Sequence, residues 1–232
     1  MRSQPTFFTW PQVQGNRAKG QGFSLRWVAS GPDAGGMTEY PNFAALVHAE
    51  REGADFCIVS RPGRSPVAVI APHGGEIEPG TSEIAAAIAG DEFNLYCFEG
   101  CKPSGNTRLH IKSCSFDEPK CLGLISSCDR VVAVHGCRKG KRTAFLGGRD
   151  APLRDAIHNR LEASGFRTAR PPNSDLQGVS RRNICNKGRR GYGAQVELSR
   201  DLRDELRQDS EKLAAFAAAI RAALSHLTTS TA

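Results

Sequence analysis

Aromatic side chains are scarce: eleven Phe, three Tyr and two Trp make up 7% of the 232 residues. Modules that read single-stranded nucleic acid stack bases on aromatic platforms, so this scarcity argues against that class. No uninterrupted run of 18 apolar residues occurs, and the N-terminus lacks an apolar stretch followed by a small-residue cleavage site. The expectation is therefore a soluble, unsecreted, cytoplasmic protein with no membrane partner. The eight cysteines are scattered without a framework spacing and read as reduced thiols, and the lack of any Cys-x-x-Cys pair argues against a metal cluster. Cys114, Cys121 and Cys128 recur every seven residues, and some of them read as small apolar groups packed on one helix face. Also missing are a His-Glu-x-x-His helix, a Gly-x-Ser-x-Gly elbow, a Walker loop and a Gly-x-Gly-x-x-Gly fingerprint.

What the chain has is a regular alternation of helical and extended patterns from Pro41 onward. The periodicity predicts a helix over Asn42–Glu50, strands over Phe56–Val59, Val67–Ala71, Asn94–Phe98 and Leu109–Ile111, and a helix beginning at Ser82. A strand then ends at His135, Thr143–Leu146 follows, and a helix from Pro152 carries Leu153, Ile157 and Leu161 at four-residue spacing. Gly165 is placed to end it. Phe166–Thr168 returns to the sheet, Ala194–Leu198 is the last strand, and Asp209–Leu227 is an amphipathic helix with Leu213, Phe216, Ile220, Leu224 and Leu227 on one side. This alternation indicates a single α/β domain, a mixed, mostly parallel sheet flanked by helices, over residues 37–232. Residues 1–36 show no sustained period and read as a flexible extension or as the product of an upstream start of translation.

Charge is uneven. Met37 to Cys137 holds 8 basic and 13 acidic residues, whereas Arg138 to Arg190 holds 14 basic and 4 acidic. The basic block lies between two chemistry-bearing positions, His135 and Glu197, and would draw a polyanionic substrate toward them. With a net charge of +7, the block also motivates a rival reading as a nucleic-acid-binding protein, against which no helix-turn-helix or RNA-binding signature is present.

The richest stretch is Ala71-Pro72-His73-Gly74-Gly75-Glu76-Ile77-Glu78-Pro79-Gly80-Thr81. It follows the apolar run Val67–Ile70 and precedes a helix, so an imidazole and two carboxylates sit at a strand's C-terminal end, where open α/β sheets bind ligands. Imidazole and carboxylate suit Zn²⁺, but two ligands are too few, and a solvated turn remains the other reading. His135, at the end of Val131–Val134 and again followed by glycine, is the candidate third ligand. On the loop Arg181–Gly188, the residues Arg182, Asn183 and Asn186 are candidate substrate contacts. His110 is a candidate for supporting the site or touching substrate.

Seven segments together resemble the poly-γ-glutamate hydrolase family of bacteriophages and bacteria. They are His73-Gly-Gly-x-Ile-Glu78-Pro-Gly-Thr-Ser-Glu83, Phe98-Glu99-Gly100, Leu109-His110-Ile111, Ser115-Phe116-Asp117-Glu118-Pro119, Val134-His135-Gly136, Asn183-Ile184-x-Asn186 and Gln195-Val-Glu197-Leu198. The resemblance runs in order from about Tyr40 to about Arg203. It implies a zinc-carboxypeptidase-like fold, Zn²⁺ held by His73, Glu78 and His135, and Glu197 as general base. The commoner carboxypeptidase spacing would choose Glu76; the family's pattern chooses Glu78, which Pro79 and Gly80 follow here. The implied reaction is cleavage of γ-glutamyl amide bonds by metal-activated water, with Arg138 or Arg182 helping the oxyanion. The alternative within enzymes is a zinc deacylase or peptidase acting on another acidic amide or a peptidoglycan fragment.

Overall fold

The computed structural model describes residues 40–138 and 141–229, so the extension read at 1–36 lies outside the described residues. The strands are β1 (Phe56–Arg61), β2 (Val67–Gly75), β3 (Asn94–Gly100), β4 (Arg130–Cys137), β5 (Thr143–Gly148), β6 (Arg167–Ala169) and β7 (Ala194–Ser199). The helices are α1 (Phe43–Ala49), α2 (Thr81–Ala89), α3 (Pro119–Ser126), α4 (Ala151–Ala163), α5 (Arg200–Gln208) and α6 (Ser210–Thr229). The strands form one sheet in the order β1-β3-β2-β4-β7-β5-β6. Its centre, β3-β2-β4-β7, is parallel throughout. β1 joins β3, and β5 joins β7, antiparallel, and β6 runs parallel to β5. The mixed, mostly parallel α/β architecture expected from the sequence is the one observed.

β2 and β4 are β-branched runs buried on both faces, as central strands of a helix-covered sheet must be. The two-residue period divides their side chains between two cores. Val67, Val69, Ala71, Val132 and Val134 pack under α2, α4 and α6, together with Ile157, Phe216 and Ile220. Ala68, Ile70, Val131 and Ala133 pack on the other face with Phe98, Phe116 and Ile125. Three rings tie that second core together, Phe56 lying 5.0 Å and Phe116 5.9 Å from Phe98.

The helices begin and end for local reasons. The Asp150 side chain accepts the Leu153 N–H at 3.1 Å, Pro152 sits in the first turn of α4, and Leu153, Ile157 and Leu161 are fully buried. Burying each such side chain contributes about 1.5–3 kcal/mol. Gly165, at φ 81°, turns the chain out of the helix. On α6, Phe216, Ile220 and Leu224 are fully buried and Leu213 partly so, as the amphipathic pattern requires; the Leu227 side chain lies outside the described residues.

One expectation changes. Leu109–Ile111 is not a strand: a 3₁₀ turn spans Asn106–Leu109, anchored by the Asn106 amide, which accepts the Lys102 N–H at 2.9 Å and donates to the Lys102 carbonyl at 2.8 Å. Leu109 and Ile111 are both buried, so an alternation that resembles a strand is satisfied by an irregular segment. Of the three cysteines spaced by seven, Cys121 is on α3, with Cys114 before and Cys128 after it. Helix α5 escaped the periodic reading because Leu202 and Leu206 are its buried apolar residues among charged neighbours.

Candidate metal centre

β2 and β4 are hydrogen-bonded parallel neighbours, and each carries a histidine toward its C-terminal end. β2 does not reach its histidine by simple alternation. Ala71 pairs with Cys97 and Gly74 with Glu99, so β2 carries one extra residue there relative to β3. Ala71 belongs to the core under α2, and unbroken alternation would send His73 the same way. The bulge re-aims it. Its ring lies on the opposite face, 3.8 Å from the His110 ring and edge-on to Phe116 at 6.4 Å. The chain then doubles back: the Glu78 N–H donates to the His73 carbonyl at 3.0 Å, and the Thr81 hydroxyl reaches the His73 and Glu78 carbonyls at 3.2 and 2.9 Å.

This turn returns the Glu78 carboxylate to the histidines. His73 Nδ1 lies 3.3 Å from Glu78 Oε1 and 3.1 Å from His135 Nδ1, and His135 Nδ1 lies 3.7 Å from Glu78 Oε2. The other nitrogen of His73, Nε2, faces the Ile111 carbonyl at 2.7 Å. A carbonyl only accepts, so Nε2 carries the hydrogen and Nδ1 presents a bare lone pair to the cluster. Donors around a tetrahedral zinc with bonds near 2.0–2.1 Å stand about 3.3 Å apart, which the three separations fit. Among the described residues, His73, Glu78 and His135 offer ligand atoms that all lie within 4.8 Å of one another.

For His73 and Glu78 the electrostatics agree with that donor set; around His135 the carboxylates favour the protonated ring, whose proton a bound metal would displace. Burial, reinforced by His110, pulls the His73 pKa down to about 4, so its imidazole is neutral at pH 7. For Glu78, burial works upward but is outweighed by His73 and by hydrogen bonds from His110 and His135, which hold the carboxylate well below its ordinary range. Burial would lower His135, and its bond to Glu78 with the charges of Glu197 and Glu78 raises it instead. The Gly136 N–H donates to Glu78 Oε2 at 2.7 Å and fixes the carboxylate further. Glu76, in contrast, is exposed and lies outside the cluster.

Glu197 approaches from the next strand. It is the register partner of His135 on β7, and because Ala194, Val196 and Leu198 fill the core under α2 and α4, Gln195 and Glu197 face the histidine side. Burial pushes the Glu197 carboxyl up to about 7, against His135 and Gln195 and with the help of Glu78. Gln195 Nε2 donates to Glu197 Oε1 at 2.8 Å. Arg203, buried on α5, donates to the Leu198 carbonyl at 3.3 Å and to the Pro79 carbonyl, bracing the loop that carries Glu78. Its guanidinium occupies the space above Gly136, where a Cβ would stand 2.5 Å from Arg203 Cζ. Sequence reading missed both residues. Gln195 was recoverable, since two residues before Glu197 on a strand is the same face; nothing local pointed to Arg203.

The remaining candidates divide. His110 Nε2 lies 3.5 Å from Glu78 Oε1, and its side chain is 30% exposed beside the cluster. Arg138 and Arg182 are exposed, Arg138 directly following β4. Asn183 and Asn186 are 4% and 3% exposed, with amides engaged inside the protein. Asn186 donates to the Gly178 and Ser180 carbonyls and accepts the Gly193 and Arg149 N–H groups. Part of the basic block lies away from the cluster. Arg149 and Arg190 line a cavity of about 270 Å³ with Arg130, which opens β4 at the end opposite His135. Arg154 and Arg170 line another of about 420 Å³, and none of the four site residues lines either.

Comparison with known proteins places this geometry. The model of the poly-γ-glutamate hydrolase family matches residues 40–218. YndL of Bacillus subtilis (strain 168) is 38% identical over 169 residues, covering 72% of this chain and 66% of YndL. The SPbeta prophage-derived YoqZ of the same strain is 35% identical over 169 residues, or 72% of this chain and 61% of YoqZ. The chain thus spans slightly less than two thirds of the length of either relative. Among solved structures, a bacteriophage poly-γ-glutamate hydrolase superposes with a TM-score of 0.78 at 28% identity, over 83% of this chain and 99% of that one. The zinc-free apo form of YndL gives 0.76 at 32% identity, over 82% and 98%. Since the matched stretch takes in the whole cluster from His73 to Glu197, this chain belongs to the poly-γ-glutamate hydrolase family.

Proposed function

We propose that this protein hydrolyses the γ-glutamyl amide bonds of poly-γ-glutamate, with Zn²⁺ held by His73, Glu78 and His135 and with Glu197 as general base. The observation that carries the reading is the placement of Glu197: a buried carboxyl in register with His135 on the strand beside it, raised above the ordinary carboxylate range by burial. A carboxyl so placed can accept a proton and give it back. When bound, zinc would supply Lewis-acid polarisation of the amide carbonyl and lower the pKa of a water to about 7.

The chain's own groups do the rest. Gln195 occupies Glu197 Oε1, which leaves Oε2 to take the proton from the attacking water. Glu197 then returns that proton to the leaving nitrogen as the carbonyl carbon gains a hydroxyl and the C–N bond breaks, so the product is one carboxylate and one amine. His73 Nε2 is held by the Ile111 carbonyl, so its ring keeps one tautomer and one orientation throughout. His110, beside Glu78, is the candidate hydrogen-bond donor to the substrate, and exposed Arg138 and Arg182 are cations for the polymer's free carboxylates.

The experiment is to incubate the purified protein with poly-γ-glutamate, with and without a zinc chelator, and to follow polymer length on a gel. Shortening that chelation abolishes and Zn²⁺ restores is the expected result. An unchanged polymer with one zinc bound per chain would keep the metal centre and reassign the substrate to another acidic amide.

A further inference from the structure

Gln195 is 2% exposed, Glu197 4% and Asn183 4%, and a buried amide hydrogen-bonded to a buried carboxylate can face it in only one of two ways. Here the backbone decides which. The Cys185 N–H points at Asn183 Oδ1 at 3.1 Å, and a backbone N–H only donates. The edge that Asn183 turns toward Gln195 is therefore its Nδ2, which meets Gln195 Oε1 at 2.9 Å. Gln195 consequently presents Nε2 on its other side, donating to Glu197 Oε1 at 2.8 Å and to the Leu176 carbonyl at 3.2 Å. Gly178, at φ 62°, lets the covering loop pass over the relay, since a Cβ there would stand 2.8 Å from Gln195 Oε1.

We propose that Asn183 and Gln195 are positioning residues, a one-directional amide relay that holds Glu197 Oε1 and so aims Oε2 at the water it deprotonates. The proposal rests on the reading of Glu197 as the base. Asn183 acts at one remove from the reacting atoms, through Gln195. The direction of the relay is what matters. Were the Gln195 amide reversed, its carbonyl would face the carboxylate and turn Glu197 away.

The test measures kcat and KM on poly-γ-glutamate, with bound zinc, for the zinc-loaded full chain and its variants. Gln195→Leu keeps approximate size and removes the donor; kcat is expected to fall about 10- to 100-fold with KM and zinc content unchanged, as for loss of an orienting partner. Asn183→Asp keeps the acceptor for Cys185 but puts a second acceptor against Gln195, which favours the reversed amide; a similar fall in kcat is expected. This variant carries the test should Gln195→Leu fail to fold. In a Glu197→Gln background neither substitution is expected to add a further loss, because the relay acts through that carboxylate. Unchanged kcat in both single variants, with turnover lost in Glu197→Gln, would overturn the relay and leave the base in place. Loss of zinc or a rise in KM equal to the fall in kcat would reduce both residues to structural props and overturn the proposal. Turnover surviving in Glu197→Gln would overturn the base, and the relay with it.

Discussion

On β4, Val132 and Val134 join the core beneath α2, α4 and α6, while Ala133 turns to the side of Phe116 and Ile184 and His135 to that of Glu78. β7 repeats the division: Ala194, Val196 and Leu198 to the first side, Gln195 and Glu197 to the second. One face of the sheet is thus closed by a mostly aliphatic core under α2, α4 and α6. The other carries an aromatic core whose C-terminal rim opens into the histidine and carboxylate cluster. The difference teaches that stability and chemistry are separable by face. The parallel strands supply rigid roots to both, and the polar groups gather where the strands end and helix cover stops.

Four substitutions sharpen or break that separation. Glu197→Gln, nearly isosteric and on the chemical face, is expected to lower kcat about 10²- to 10⁴-fold while bound zinc and the melting temperature stay unchanged. A large fall in Tm would show that the two faces are not independent. Ile220→Ala, on the closed face, is expected to cost about 2–5 kcal/mol in denaturant unfolding while the folded protein keeps its specific activity. Gly136→Ala lies at the border, because the added methyl meets the Arg203 guanidinium that braces Pro79. Zinc affinity there is expected to fall about 10- to 100-fold, read by chelator competition. Arg182→Ala is expected to do least, raising KM on long polymer about threefold at low salt and not at high salt, with kcat unchanged.

Several of these groups are legible in the sequence alone. His73 and His135 stand at the ends of β-branched runs and are followed by glycine, and strand periodicity puts them at strand ends. Leu153, Ile157 and Leu161 mark α4 in the same way. What periodicity does not reveal are departures from it and contacts across long separations. The bulge after Ala71 breaks the alternation that a local reading assumes. Leu109 and Ile111 alternate like a strand yet are buried around a 3₁₀ turn. Arg203 acts on Pro79, 124 residues away, and in its own segment is one charge among many. Asn183 and Asn186 read as candidate substrate contacts on a loop; their burial depends on backbone partners that only the folded loop supplies.

The choice between Glu76 and Glu78 tests the account most directly, because the chain offers both acids and the fold brings one of them to the histidines. Zinc would be titrated calorimetrically into chelator-stripped wild-type protein, Glu76→Ala and Glu78→Ala. The account predicts one zinc per chain with unchanged affinity for the wild type and Glu76→Ala, and binding weakened at least about 100-fold in Glu78→Ala. Wild-type affinity in Glu78→Ala, or its loss in Glu76→Ala, would contradict the centre built from His73, Glu78 and His135.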